Sequence, residues 1–193
     1  VNLHGTGGDS GIFANAGGAV TIGGNVTVST DATSTDPSVT ATAFRSQLYA
    51  TGGGTIDVTG DANISANAFG AQTLSAGTYG GNAVASFAKI QANDGGQITI
   101  GGDARLDANA FGGQAQVGGA GGGSAQAGTA WVLSTGPNAA QVTIAGALAA
   151  NASGFGGSGT GCATCTIEGG AGTGGLAAVR TNSNSVIQVG AST

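Results

Sequence analysis

Residues 90–102 read IQANDGGQITIGG and residues 12–24 read IFANAGGAVTIGG. Both open on an apolar residue, step through Ala and Asn, pass a glycine pair and end in an alternating apolar run. Recurrence of this kind decides the fold, so the period is sought before any catalytic motif. Taking the opening residue as an anchor, with a small residue at plus two and a polar one at plus three, gives nine copies. The anchors are Ile12, Val28, Leu48, Ile64, Ile90, Leu106, Leu133, Leu148 and Val179. At plus two stand Ala14, Thr30, Ala50, Ala66, Ala92, Ala108, Thr135, Ala150 and Thr181. At plus three stand Asn15, Asp31, Thr51, Asn67, Asn93, Asn109, Gly136, Asn151 and Asn182, and only Gly136 departs from the polar rule.

Steps of 15 or 16 residues alternate with steps of 20 to 31, so a pair of anchors recurs every 36 to 46 residues. Each pair is accompanied by a short alternating stretch: Val20-Thr21-Ile22, Ile56-Asp57-Val58, Ile98-Thr99-Ile100, Val142-Thr143-Ile144 and Ile187-Gln188-Val189. Alternation over so few residues, bounded by Gly and Asn, is a strand signal. Short strands with tight corners form either an antiparallel meander or a parallel solenoid, and only the solenoid places identical side chains over one another. The repeated Asn therefore predicts an all-β parallel β-helix with alternating short and long coils, residues 1–193 forming a single solenoid domain that is part or a subunit of a longer rod. Nine turns at about 4.8 Å would make a rod on the order of 43 Å long.

In this reading Asn15, Asn67, Asn93, Asn109, Asn151 and Asn182 form one ladder, each amide donating to the next rung and accepting from the one before. The central expectation is that Asn67, Asn93 and Asn109 lie in a single column. Asn tolerates left-handed backbone at a corner, glycines 17, 18, 53, 54, 95 and 96 complete the bend, and the anchors with the alternating Val and Ile fill the lumen. Phe69, Phe111 and Phe155 follow the corner once per double turn, and Phe44, Phe87 and Trp131 recur 43 and 44 residues apart; both sets are expected to stack as aromatic ladders, in preference to the alternative of a sugar-binding platform.

Composition narrows the function. Forty-one glycines, six Phe, one Trp and two Tyr among 193 residues predict a thin core of small side chains. Four Lys/Arg against nine Asp/Glu, net −5, leave no basic stripe for nucleic acid or an anionic membrane, and no apolar run is long enough to span a bilayer. The chain opens on Val1 and contains no Met, which reads as a processed or excised part of something longer. Cys162 and Cys165, in GCATC, lack the further ligands a zinc site needs; a local disulfide stapling a Gly-rich loop is the expectation. The acids are scattered, and Arg105 between Asp103 and Asp107 reads as a solvated ion pair, so no enzyme is expected. Asp61 and Asp103 occupy equivalent places and are a candidate calcium bridge, although the nonapeptide of calcium β-rolls is absent. Thr21, Thr99 and Thr143 form one interrupted outward row, too narrow for an ice-binding face.

The phrases GGGTIDVTGDANISANAFGAQ (52–72) and GGQITIGGDARLDANAFGGQ (95–114) resemble those of the β-strand-repeat surface proteins of Gram-negative bacteria, in the style of filamentous haemagglutinin and autotransporter passengers. The resemblance implies a right-handed parallel β-helix, exported and held at the cell surface, serving as a stalk, fibre or adhesive surface. From it and from the uncapped ends follow the expected partners: other copies, end to end, and surface glycans. The alternative is a carbohydrate- or surface-binding module acting through the Gly-rich loops 118–128 and 156–175, expected to emerge from one corner as loops or side-strands.

Overall fold

The computed structural model describes residues 1–116, 121–160, 168–182 and 184–190. These residues coil into five parallel sheets, and every neighbouring pair of strands is parallel. Sheet I stacks β2 (Ser10–Asn15), β7 (Ser46–Thr51), β12 (Phe87–Asn93), β17 (Thr129–Thr135) and β22 (Leu176–Thr181). Sheet II stacks β3 (Ala19–Ile22), β8 (Thr55–Val58), β13 (Gln97–Ile100), β18 (Gln141–Ile144) and β23 (Val186–Val189). Sheet III stacks β1 (Asn2–His4), β4 (Val26–Ser29), β9 (Ala62–Ser65), β14 (Ala104–Asp107) and β19 (Leu148–Asn151). Two-residue strands build the rest: β5 (Ala32–Thr33), β10 (Ala68–Phe69), β15 (Ala110–Phe111) and β20 (Gly154–Phe155) in sheet IV; β6 (Ala41–Thr42), β11 (Ala83–Val84), β16 (Ala125–Gln126) and β21 (Gly172–Thr173) in sheet V.

The protein is thus a parallel β-solenoid, but it makes between four and five turns rather than nine, and its rungs span on the order of 20 Å at about 4.8 Å each. The reason is geometric. Ile12, Leu48 and Ile90 align on sheet I, whereas Val28, Ile64 and Leu106 align on sheet III. The 16-residue step crosses from one face to another within a turn, and only the pair of steps closes a coil.

Register also moves two anchors. Val132, not Leu133, faces Ile90, and Ala150, not Leu148, faces Leu106. The polar break at Gly136 disappears once Thr135 is placed opposite Asn93.

The inward residues of sheets I, II and III meet in one cluster that includes Leu48, Ile90, Val132, Ile56, Ile98, Ile64 and Leu106, each at most 1 % exposed. Each such side chain contributes about 1.5–3 kcal/mol on burial. Sheets IV and V enclose a second cluster made of alanines alone, with Ala41, Ala68, Ala83, Ala110 and Ala125 facing one another. Two strands separated only by methyl groups lie close together, so this lobe is the thin core that the composition predicts. The chain visits both lobes on every turn.

Between sheets I and II the corner is a tight turn with φ positive at both central residues: Ala16 and Gly17, Gly52 and Gly53, Asp94 and Gly95. The carbonyls of Asn15, Thr51 and Asn93 accept from the N–H groups of Gly18, Gly54 and Gly96 at 2.9, 3.0 and 2.9 Å. This is the pattern of a type I′ turn. Contrary to the expectation above, Asn itself is not the left-handed residue; it opens the turn.

At the far tip of the alanine lobe the two sides are joined by backbone alone. Gly81 donates to Ala71 (2.8 Å), Gly113 to Gly81 (2.8 Å), Gly123 to Gly113 (2.9 Å), Gly157 to Gly123 (2.8 Å) and Gly170 to Gly157 (2.8 Å), a seam that climbs from rung to rung. A Cβ on Gly113 would meet the Ala71 carbonyl oxygen at 1.8 Å, so only glycine permits the seam. Gly113→Ala is therefore expected to lower the unfolding free energy by at least about 1–3 kcal/mol in a denaturant melt followed by circular dichroism. Gly23→Ala, whose Cβ would meet open space, should stay within about 0.5 kcal/mol. Ala16, held at φ 49°, gives the opposite sign: Ala16→Gly should raise stability by about 1 kcal/mol in the same melt.

Candidate functional site

A coil corner interrupts the strand-to-strand backbone bonds, and the amide at the bend must find another acceptor. The sequence supplies one from a side chain. At the corner between sheets III and IV, Asp31 Oδ1 accepts from the Asn67 N–H (2.7 Å), Asn67 Oδ1 from the Asn109 N–H (2.9 Å), and Asn109 Oδ1 from the Ser153 N–H (2.9 Å). Entering sheet III, Asn25 accepts from Asp61 (2.9 Å), Asp61 from Asp103 (2.9 Å), and Asp103 from Ala147 (2.8 Å) in the same way. Asn82 serves Ser124 before sheet V (2.9 Å) and Asp9 serves Arg45 before sheet I (2.9 Å).

These ladders differ from the expected one in two respects. The bond runs from a backbone N–H to a side-chain oxygen, not from amide to amide, which is why Asp and Asn interchange in it. The six asparagines also do not form one column. Asn67 and Asn109 share the corner after sheet III, while Asn15, Asn93 and Asn182 stand at the corner after sheet I among Thr51 and Thr135. There Asn93 donates to Thr51 Oγ1 (3.4 Å) and accepts from Thr135 Oγ1 (3.1 Å), and Asn182 Oδ1 accepts from the Gly136 N–H (3.1 Å). Asn151 belongs to neither column; its amide donates to Asp107 at 2.9 Å, and Ser153 holds the place it was expected to fill. Column membership is set by strand register, which a plus-three rule counted from shifted anchors misses.

Asp61 and Asp103 do lie one rung apart, beside the paired residues Ala62 and Ala104, but one oxygen of each serves the ladder. No group of three His, Cys, Asp or Glu among the described residues is arranged around a common point. Arg105 bonds the Asp107 carboxylate, which raises its pKa, and its side chain remains exposed. Among the described residues no helix is long and apolar enough to cross a membrane. Cys162 and Cys165 lie outside the described residues, as do parts of both Gly-rich stretches. The described portions of 118–128 and 156–175 include β16, β20's neighbour β21 and the glycine seam, so they are side-strands closing the second lobe.

The aromatic sets separate. Phe69, Phe111 and Phe155 are in register on the outward face of sheet IV, with ring centroids 5.1 and 5.2 Å apart and planes inclined by only 2° and 11°. Phe44, Phe87 and Trp131 are not in register: Phe44 precedes Ser46 by two residues, Phe87 precedes Ala88 by one, and Ser46 faces Ala88. Trp131 faces Lys89, and its ring meets Phe87 at 5.9 Å and 57°. Lys89 reaches over the Tyr49 ring at 5.6 Å; burial, reinforced by the Arg45 charge, pulls its pKa below the usual lysine range.

Beside the phenylalanine column runs a groove of about 590 Å³ that crosses four successive rungs, from Thr33 and Ser34 to Phe155 and Ser158. One wall is the ring column; Gln72, Gln114 and Ser158 line the groove with it, and Gly112, Gly113, Gly156 and Gly157 add backbone without side chains. Sequence reasoning found the rings but not the groove, because the glutamines that line it lie in the irregular part of each turn.

The corner oxygens make a direct prediction. Asn67→Ala strips the acceptor from the Asn109 amide and is expected to cost about 1–3 kcal/mol in a denaturant melt, whereas Asn67→Asp, which keeps the oxygen, should retain most of that stability. Comparison of the chain with protein-family models, with curated proteins and with solved structures gives no match.

Proposed function

We propose that the chain is a structural module of an extracellular fibre or cell-surface stalk, with no catalytic role, and that copies of it associate end to end. The observation that carries this reading is the state of the last rung. Val179 and Val189 are in register with Val132 and Ile144, which are 0 and 1 % exposed, yet they themselves are 51 and 43 % exposed. An inward apolar column that ends bare among the described residues, on strands at the sheet edges, favours a further rung, supplied by more of the same chain or by another copy.

The first rung carries apolar residues at the matching places, Ile12 partly buried and Ile22 only 7 % exposed. Ile12 heads the column that ends in Val179, and Ile22 heads the column that ends in Val189. A head-to-tail contact would set apolar residues on apolar residues and continue the parallel strands in the same direction. Because the two surfaces differ, such an interface does not close on itself and extends into a filament. The likeness of the repeat phrases to Gram-negative β-strand-repeat surface proteins supports placing this filament outside the cell, as does a surface with few charges.

Sedimentation velocity and negative-stain electron microscopy over a concentration series test the reading. The expected result is a concentration-dependent series of end-to-end species one coil wide. The double variant Val179→Asp, Val189→Asp should remain monomeric with an unchanged β circular dichroism spectrum. A natural chain that stays monomeric at the highest concentration, with its β spectrum intact, would contradict the proposal.

A further inference from the structure

We propose that the groove beside Phe69, Phe111 and Phe155 binds an uncharged, linear, β-linked glycan laid parallel to the solenoid axis. This site stands apart from the fibre reading: it lies along the side of the coil, not at its ends. Phe69 and Phe155 are 39 and 53 % exposed, so the column is not core packing. Ring stacking alone would account for the phenylalanines but not for the amides of Gln72 and Gln114, which line the same groove on successive rungs.

The geometry selects the ligand class. Phe111 has a parallel ring on each face, which leaves its edge free. Ring edges carry the positive end of the aromatic quadrupole and suit oxygen-rich ligands, whereas cations require a ring face. Among the described residues no Asp, Glu, Lys, Arg or His lines the groove, so none of them neutralises a charged polymer there. Gln72, Gln114 and Ser158 offer both donors and acceptors, the complement of a row of hydroxyls, and Gln116 Nε2 bonds Gln72 Oε1 at 3.3 Å and holds that amide in place. The glycine backbone leaves room for a sugar ring. Finally, the walls repeat once per rung, and an extended β-1,4-linked hexose chain advances by close to one rung per sugar. Successive sugars therefore meet a phenylalanine edge on three rungs, with Gln72, Gln114 or Ser158 as the polar partner beside it.

Calorimetric titration with cellohexaose, hexa-N-acetylchitohexaose and xylohexaose, and with a β-1,4-linked glucuronate hexamer as the charged control, tests the proposal on the whole chain. At least one neutral hexasaccharide is expected to bind, and the glucuronate hexamer to bind at least tenfold more weakly. Phe111→Ala and, independently, Gln114→Ala should each weaken binding at least tenfold. Gln114→Ala alters an amide at the groove and leaves the ring column intact, so it separates loss of the site from loss of the fold. Gln126→Ala, on the outward face of sheet V, should bind as the natural chain does. Absence of binding by all three neutral sugars, equal or tighter binding of the charged one, or indifference to Gln114→Ala would each overturn the proposal, whatever the outcome for filaments.

Discussion

Backbone amides at the corners of a parallel coil have lost the strand partner that their neighbours keep, and leaving one buried without an acceptor costs about 1–3 kcal/mol. That cost recurs on three successive rungs at the partly buried corner after sheet III, and the same bond is made on three rungs at the more exposed corner before it. The Asx side chains remove it. Each places Oδ1 under the N–H of the next rung, so the bend is bonded along the axis as firmly as the strands on either side. The same contact holds register, because a one-residue slip would leave a corner N–H facing a side chain without an oxygen.

Glycine follows from this contact and is not only a source of flexibility. Gly60, Gly102 and Gly146 stand just before the ladder positions of their rungs, and a Cβ on any of them would come within 2.1 Å of the Asn25, Asp61 or Asp103 oxygen below. Other glycines supply positive φ at the corner between sheets I and II, and a third group forms the backbone seam of the alanine lobe. One residue type thus answers three separate constraints, which explains a glycine content that would weaken an ordinary globular fold. The low charge and small side chains are consequences of the same close stacking.

Much of this was legible in the residues, and the failures have identifiable causes. The 36-to-46-residue period, the parallel stacking and the inward Val/Ile columns follow from patterning that register preserves: Ile98 faces Ile56 and Val142, and Ile64 faces Val28 and Leu106. The turn count did not, because an Asn three places after an apolar residue occurs at two corners of each coil and looks like one motif. Leu133 misled as an anchor because it stands beside the true inward position, Val132; Leu148 misled because it is an inward residue one pair early, facing Ala104 while Ala150 faces Leu106. Sheets IV and V left no strand alternation to read; two-residue strands whose inward residue is alanine are too short to show it. The phenylalanine column was visible, but the groove depends on where irregular chain places Gln72 and Gln114, and no local rule predicts that.

The most direct measurement of the central claim is residue-resolved amide hydrogen exchange on the folded chain at the corner positions Asp61, Asn67, Asp103, Asn109, Ala147 and Ser153. If side-chain oxygens bond these amides between rungs, they should exchange as slowly as amides in the middle of β9 and β14. Corner amides that exchange at the rate of an unstructured chain, while the strands stay protected, would contradict the account.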